Sequence, residues 1–192
     1  GIEFADAPVA RTRQAAIDGT LSIMVGCEED LFARIRPYLA AAAEEITHCG
    51  GIGTGQVMKL MNNMVLFQTV VALSEAMVTA ERAGVSRETL IDVLSLGSAD
   101  SFALRNHGRK AMMPNRFPLA AFATDYALKD ITYALELAHD FNVPAASAEL
   151  AKKMLERSSA AGFGAEYFPV LINQISGMTR ADYDASLEET ND

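Results

Sequence analysis

The chain has 192 residues, of which 50% are hydrophobic and 21% are charged, and its formal net charge is −9. This balance indicates a globular protein with a core of substantial size. The acidic net charge and the lack of any Lys- and Arg-rich run argue against a nucleic-acid partner, because phosphate binding requires clustered basic side chains.

The first part of the chain alternates β-rich and helical patterns. Ile2–Val9 and Thr20–Val25 are predicted strands, and Glu45–Cys49 is a predicted last strand. Glu28–Ala43 is a predicted helix, because acidic residues in its first turn suit the helix dipole. The chain opens without an initiator Met on residues already typical of a strand, so we expect an N-terminal portion to precede it.

A long helix is predicted next. Thr54 is suited to be its N-cap, Gly84 is suited to end it, and no residue between them breaks a helix. The interval spans about 30 residues, or roughly 45 Å. Its middle is apolar on nearly all sides, which predicts burial. The apolar run Met64–Leu73 is interrupted by two polar residues and is too short to cross a bilayer, so we predict no membrane partner.

The remainder is predicted to be helical. Shorter helices are expected between glycine and proline breaks, at Ser86–Ser95, Ala99–Met112, Phe122–Phe141, Ala145–Ala160 and Glu166–Ser176. Residues 181–192 are predicted to be an acidic, solvated tail. Cys27 and Cys49 are too few and too far apart for a metal cluster, which indicates free thiols in a reducing cytoplasm and no metal site.

One lysine stands alone in an uncharged segment. Between Ile46 and Ser74, Lys59 is the only Asp, Glu, Lys or Arg. Asn63 follows four residues later on the same helix face, and Asn62 lies beside it. Partial burial lowers the pKa of a lysine, which suits proton exchange near neutral pH, while an asparagine can hold a substrate hydroxyl. The alternative is a snorkelling lysine at a helix edge beside two surface asparagines.

The glycine cluster at residues 50–55 has two interpretations. It is not a dinucleotide fingerprint, because Gln56 stands where the third glycine of G-x-G-x-x-G would follow Gly55. It is either a hinge that lets the backbone approach a ligand near the helix N-terminus, or a plain interdomain linker.

An arginine-bearing loop is predicted after the first strand. Asp6 begins an Asp-Ala-Pro-Val stretch, and Arg11 and Thr12 follow it. Arginine with free backbone N–H groups can bind a carboxylate, phosphate or sulfonate. The alternative is a surface loop with solvated arginines. Taken by itself, the segment around Lys129 is typical of an exposed helix face.

Together these stretches resemble the β-hydroxyacid dehydrogenase family, which includes 3-hydroxyisobutyrate dehydrogenase and tartronate semialdehyde reductase. Four motifs occur in the family's order. They are Asp-Ala-Pro-Val (Asp6–Val9), Gly-Thr-Leu before a strand (Gly19–Val25), G-x-G-x-x-x-K-x-x-N-N with an extra glycine at Gly55 (Gly53–Asn63), and F-x-x-D-x-x-x-K-D (Phe122–Asp130).

The resemblance implies a mainly α fold. Residues 51–180 would form an all-helical dehydrogenase C-terminal domain, for substrate binding and dimerisation, with one long connecting helix. Residues 1–50 would be the last strands and helix of an α/β, Rossmann-type dinucleotide-binding domain, and 181–192 an acidic tail. The G-x-G-x-x-G half is absent from the chain, so we expect these residues alone to be inactive.

The resemblance also implies roles for individual residues. Lys59 would be the catalytic acid/base on the substrate hydroxyl, and Asn63, with Asn62, would hold the substrate beside it. Lys129 would lie near the nicotinamide of NAD or NADP. The loop after Val9 would bind the acidic group of a short 3-hydroxy acid or its semialdehyde. The full-length protein would be a cytoplasmic dimer or tetramer.

The loop departs from the common family pattern. Most members have Ser-Gly-Gly where this chain has Ala10-Arg11-Thr12. The loop is similar to the 3-sulfolactaldehyde reductase branch, in which the arginine faces a sulfonate, but Leu66 replaces that branch's serine. We therefore expect a strongly acidic substrate group without assigning a sulfonate. The alternative function is a non-catalytic homologue whose helical domain serves self-association, although such a protein would not need to keep Lys59.

Overall fold

A computed structural model describes residues 1–11, 13–119 and 121–189, without the side chain of Glu189. The chain forms two compact units, Gly1–Asn63 and a second unit from Met64 onward, which are described separately below. The predicted domain boundary after residue 50 stays a prediction.

The first unit is a small α/β layer. Its sheet has the order β1-β2-β3, with β1 antiparallel and β3 parallel to β2. The strands are β1 (Val9–Ala10), β2 (Leu21–Gly26) and β3 (Ala43–Gly50), and the helices are α1 (Arg13–Ile17) and α2 (Glu29–Leu39). Helix α2 connects the two parallel strands, as a crossover must. The buried core of this first unit includes Ile23, Val25 and Cys27.

Two boundaries in this unit were predicted wrongly. The expected strand Ile2–Val9 reduces to one bridge, between Asp6 and Gly26, and the two residues of β1. Pro8 has no N–H to donate, although its carbonyl accepts from Met24 N at 3.1 Å. Helix α2 ends at Leu39 instead of Ala43, because Ala43 is already the first residue of β3.

The long helix is confirmed. Helix α3 runs without a break from Thr54 to Arg82, and Gly84 follows it with a φ of +88°, a conformation that glycine adopts without strain. Helix α3 has 29 residues, and one 18-residue window within it has a mean hydropathy of 1.3, so by length and composition alone it could cross a membrane, although 44% of that window is buried in the protein. Phe67, Val70 and Met77 are buried in the helical core, as expected for the central helix of a packed domain.

The second unit is helical. After α3 it contains α4 (Arg87–Ser95), a π-helical segment (Leu104–Met112), α5 (Thr124–Asp140), α6 (Ala146–Ser158), a π turn (Ser159–Phe163), a 3₁₀ turn (Phe168–Leu171), α7 (Ile172–Ser176) and α8 (Arg180–Glu189). The predicted cap at Ser86 is confirmed, since its hydroxyl accepts from Thr89 N at 3.1 Å. The regular helix predicted at Ala99–Met112 is instead mostly π-helical.

The predicted tail is a folded helix as far as Glu189. Helix α8 begins with a capping box, in which Thr179 N donates to the Asp182 carboxylate at 3.0 Å and Asp182 N donates to the Thr179 hydroxyl at 3.2 Å. The buried Tyr183 hydroxyl accepts from Phe117 N at 3.3 Å. One buried aromatic ring thus attaches this helix to the core, whereas the last residues of the predicted tail, 190–192, lie outside the described residues.

Candidate active site

Lys59 lies near the start of α3 and reaches the first strand. Its Nζ donates to the carbonyl oxygen of Val9 at 2.7 Å, and the residue is partly buried. The Asp-Ala-Pro-Val stretch and the lysine motif, separated by 50 residues in sequence, thus meet within the first unit. Because an ammonium to carbonyl bond is charge-assisted, it holds the amine at a defined point.

Asp6 holds the N-terminus of the same helix. Its carboxylate, in a residue only 8% exposed, accepts from Gly53 N at 2.6 Å and from Gln56 N at 2.8 Å. These N–H groups have no partners inside a helix, and a negative charge there is favoured by the dipole. The cap predicted at Thr54 was wrong, since the Thr54 hydroxyl donates to the Gly51 carbonyl at 2.8 Å. Local sequence could not indicate a cap supplied from so far away.

Within the glycine-rich segment Gly55 is a close packing site, whereas a Cβ on Gly51 or Gly53 would meet open space, so the hinge and the linker both stay predictions. A Cβ on Gly55 would lie 2.4 Å from the Met24 carbonyl and 2.7 Å from the Asp6 carboxylate. A Cβ on Gly26 would lie 2.3 Å from the same carboxylate. The segment does not fit the pyrophosphate of a dinucleotide, because the Asp6 carboxylate already accepts from the N–H groups of Gly53 and Gln56 at the start of the helix.

The two asparagines differ in exposure. Asn62 is exposed, whereas Asn63 is 3% exposed. The Asn62 Nδ2 donates to the Asn63 Oδ1 at 3.1 Å. This bond orients the amide of Asn63, which lies one helical turn beyond Lys59 on the same face.

The predicted anion loop is only partly a loop. Ala10 belongs to β1, where it pairs with Ser22, so the expectation of a loop beginning immediately after Val9 was wrong. Arg11 makes the turn with a φ of +82°, and its Nη1 donates to the Thr20 carbonyl and to the Glu44 carboxylate, each at 2.7 Å. Thr12, the third predicted residue, lies outside the described residues. Glu44 is a partner that the sequence analysis missed.

Lys129 lies in the second unit, on α5. Its ammonium stands 5.3 Å from the ring centre of Tyr126 and 6.0 Å from that of Tyr133, and 3.2 Å from the Asp130 carboxylate. The two tyrosines occur one turn to either side of the lysine, so the helix presents a cation between two aromatic rings.

The described part of the chain shows no group of three or more His, Cys, Asp or Glu side chains arranged to hold a metal ion. Both cysteines are free thiols, as predicted. Burial is the main cause that raises the pKa of both thiols, which therefore stay protonated at neutral pH.

Two family models match the chain. Residues 1–51 match the NAD binding domain of 6-phosphogluconate dehydrogenase, and residues 53–174 match the NAD-binding family of NADP-dependent 3-hydroxyisobutyrate dehydrogenase. Both models describe nicotinamide-binding regions of dehydrogenases. The chain belongs to the β-hydroxyacid dehydrogenase family, as its four motifs predicted.

Named relatives support this assignment. The chain is 34% identical over 179 residues to 2-(hydroxymethyl)glutarate dehydrogenase of Eubacterium barkeri, covering 93% of this chain and 59% of that protein. It is 35% identical over 138 residues to 2-hydroxy-3-oxopropionate reductase of Escherichia coli, covering 72% and 47%. The chain therefore spans about half to three fifths of these relatives.

A solved structure has the same fold. The 3-hydroxyisobutyrate dehydrogenase of Mycobacterium tuberculosis, whose structure includes L-serine, is similar with a TM-score of 0.81 and 30% identity, over 89% of this chain and 60% of that one. The corresponding enzyme of Salmonella typhimurium gives a TM-score of 0.79 at 26% identity, with the same coverage.

Proposed function

We propose that this chain is part of an NAD(P)-dependent oxidoreductase that interconverts a short, acidic 3-hydroxy acid and its semialdehyde. The observation that carries the proposal is the position of Lys59, whose amine is held at the Val9 carbonyl within a motif of the family to which the chain belongs. The relatives named above, a hydroxyacid dehydrogenase and an oxo-acid reductase, support the reaction class.

Lys59 is proposed as the general acid/base. In the oxidative direction a neutral Nζ accepts the proton of the substrate hydroxyl, and in the reductive direction the ammonium returns it to the carbonyl oxygen. NAD(P), when bound, supplies the hydride chemistry. The bond to the Val9 carbonyl keeps the amine near one place while its charge changes.

Asn63 is proposed to hold the substrate beside this amine. Asn62 donates to its amide oxygen, which restricts the rotation of the Asn63 amide and aims its remaining groups. A fixed amide costs less conformational entropy when the substrate is bound. We propose Lys129 as a cation at the nicotinamide end of the cofactor, and its contacts with two tyrosine rings support a restricted position for that cation.

Arg11 is proposed to bind the acidic end of the substrate. Its guanidinium is already paired with Glu44, whose side chain is 60% exposed. Because an exposed ion pair is weak, a substrate carboxylate can compete with Glu44 for the same donors. The substrate class that fits is therefore a small acid with an anionic group near its hydroxyl-bearing carbon.

The test is an assay of the protein as its gene encodes it, with whatever residues precede Gly1. Formation of NADH or NADPH is measured with short 3-hydroxy acids that carry a carboxylate, phosphate or sulfonate, and matched 2-hydroxy acids are the control. We expect turnover of at least one 3-hydroxy acid and little turnover of the 2-hydroxy acids. Absence of turnover with every 3-hydroxy acid in both directions would contradict the proposal. Residues 1–192 alone, which contain no G-x-G-x-x-G, are expected to be inactive.

A further inference from the structure

One short segment contacts α3 at two points. The carboxylate of Asp6 accepts from the N–H of Gly53, just before α3, and from that of Gln56 in its first turn, and three residues after Asp6 the carbonyl of Val9 accepts from the Lys59 ammonium. The segment is itself fixed to the sheet. Asp6 exchanges two backbone hydrogen bonds with Gly26, at 3.1 and 2.9 Å, and β1 pairs with β2 immediately after it.

We propose that Asp6 is a positioning residue for the Lys59 amine. The proposal rests on the proposed function, because it assigns to Asp6 the placement of the acid/base. Gln56 and Lys59 are three residues apart, about 4.5 Å along the helix axis. If Asp6 releases the Gln56 N–H, the first turn of α3 is free to shift or fray, and the Nζ atom moves with it.

The packing around Asp6 leaves its carboxylate little freedom. Gly26 and Gly55 enclose it so closely that a methyl group at either position would lie within 2.7 Å of a carboxylate oxygen. The two N–H groups of α3 are charge-assisted partners, which are stronger than neutral ones. Asp6 therefore fixes both the start of the helix and its distance from β2.

The charge and shape of Asp6 both matter for this role. Asp6→Asn keeps the size but places an NH₂ group against one of the two donors, so only one of the two bonds can form. Asp6→Ala removes both bonds. The control is Asp182→Asn, since Asp182 accepts from a backbone N–H at the start of α8, in the second unit. It tests for the general cost of losing a helix cap.

The first measurement uses residues 1–192 and does not depend on enzymatic activity. Acetic anhydride labelling followed by mass spectrometry gives the acetylation rate of Lys59, with Lys129 as the reference in the same sample. We expect Lys59 to be labelled several-fold faster in Asp6→Ala, at an intermediate rate in Asp6→Asn, and at the original rate in Asp182→Asn. An unchanged relative rate in both Asp6 variants overturns the proposal, whatever their Tm.

The second measurement uses the protein as its gene encodes it. We expect kcat to fall about 10- to 100-fold in Asp6→Asn, because a small displacement of an acid/base is costly, while KM for NAD(P) changes little. A lower Tm with unchanged kcat would show that Asp6 is only a helix cap and would overturn the proposal. If the unmodified protein turns over no hydroxy acid but Lys59 labelling still responds to Asp6, the proposed function fails and the positioning of the amine stands.

Discussion

Arg11 donates from one nitrogen atom to both a backbone carbonyl and the Glu44 carboxylate. This arrangement makes the charge of Glu44 a competitor of any substrate anion. The interaction is partly solvated, because the Arg11 and Glu44 side chains are 35% and 60% exposed. The Arg11–Glu44 ion pair therefore contributes less than about 1 kcal/mol to the stability of the fold.

Substitution of Arg11 and substitution of Glu44 should change KM for the acidic substrate in opposite directions. Arg11→Ala should raise KM for the acid by one to two orders of magnitude, since a charge-assisted bond contributes roughly 1.5–3 kcal/mol. Glu44→Gln should lower KM by less than about fivefold, because it removes only an exposed competitor. Arg13→Ala, which changes the exposed arginine at the start of α1, is the control. A KM unaffected by Arg11→Ala for every acid tested would show that this loop is not the anion site.

His107 is a buried titratable group in the second unit. Its Nδ1 shares a hydrogen bond with the Tyr167 hydroxyl, and its ring packs on Phe168 with 5.3 Å between ring centres. Burial, with a smaller contribution from the charge of Lys110, lowers the pKa of His107 from 6.5 to about 4. Between pH 6.5 and pH 4, His107 therefore binds a proton in the unfolded chain but not in the folded chain.

Stability should therefore fall as the pH decreases from about 6.5 to about 4. The contribution of His107 to this loss is about 3 kcal/mol. His107→Gln keeps an acceptor for Tyr167 but does not titrate, so its unfolding free energy should lose this part of the pH dependence. His139→Gln, at an exposed site, is the control. Urea unfolding at several pH values makes the comparison, and the same slope in His107→Gln and the original protein would refute the assignment.

At the scale of elements, the position of α3 depends on the packing of its first turn and of its core-facing side. Gly55 lies within that turn, where alanine normally favours a helix over glycine by about 1 kcal/mol. Here the Cβ would lie 2.4 Å from the carbonyl of Met24, and backbone atoms cannot move aside cheaply. We expect Gly55→Ala to destabilise the protein by at least about 1–3 kcal/mol, as overpacking does.

The matched control is Gly108→Ala, in the π-helical segment. Its Cβ would make only ordinary contacts, the nearest at 3.6 Å, so its effect should be neutral or slightly stabilising. Thermal unfolding measures both variants. If Gly55→Ala is as stable as Gly108→Ala, the close approach of α3 to β2 is not tight enough to require glycine.

Some elements were readable from sequence because their signals are local. The unbroken apolar interval predicted α3, and Ser86 predicted the start of α4. The cap from Asp6 was not readable, since its partners lie 47 and 50 residues away. Helix α8 was hidden by an acidic composition, although its Thr-x-x-Asp capping box and Tyr183 were present.

For the candidate site, residue types were predictable but partners were not. The isolation of Lys59 and its spacing from Asn63 left two interpretations open, an acid/base lysine beside a substrate-holding asparagine or a snorkelling lysine at a helix edge, and only the resemblance to the family favoured the first. The contact of Lys59 with Val9 depends on strand pairing across the chain, and Glu44 reaches Arg11 only because β3 lies beside β2. Such contacts follow from tertiary packing, which no local pattern encodes.

At the scale of the whole molecule, we expect at least a dimer. Helix α3 keeps Val57, Met58 and Val65 between 37% and 59% exposed, and further apolar side chains of the second unit are more than half exposed, namely Val93, Leu96 and Phe102. Exposed apolar area of this kind favours association. Light scattering at micromolar concentration is the measurement, and a monodisperse monomer would contradict the expectation.

The central claim is that Lys59 transfers the proton, and the most direct test is kcat of Lys59→Ala in the protein as its gene encodes it. We predict a loss of at least about 100-fold, with KM for NAD(P) little changed, because general acid/base catalysis contributes on this scale. Lys59→Arg should lose nearly as much, since a guanidinium cannot act as a base at neutral pH. Lys152→Ala, which changes a lysine paired with Glu156 on α6, should keep full activity. If Lys59→Ala retains more than about a tenth of kcat, a cost under ~1.4 kcal/mol, Lys59 is not the acid/base.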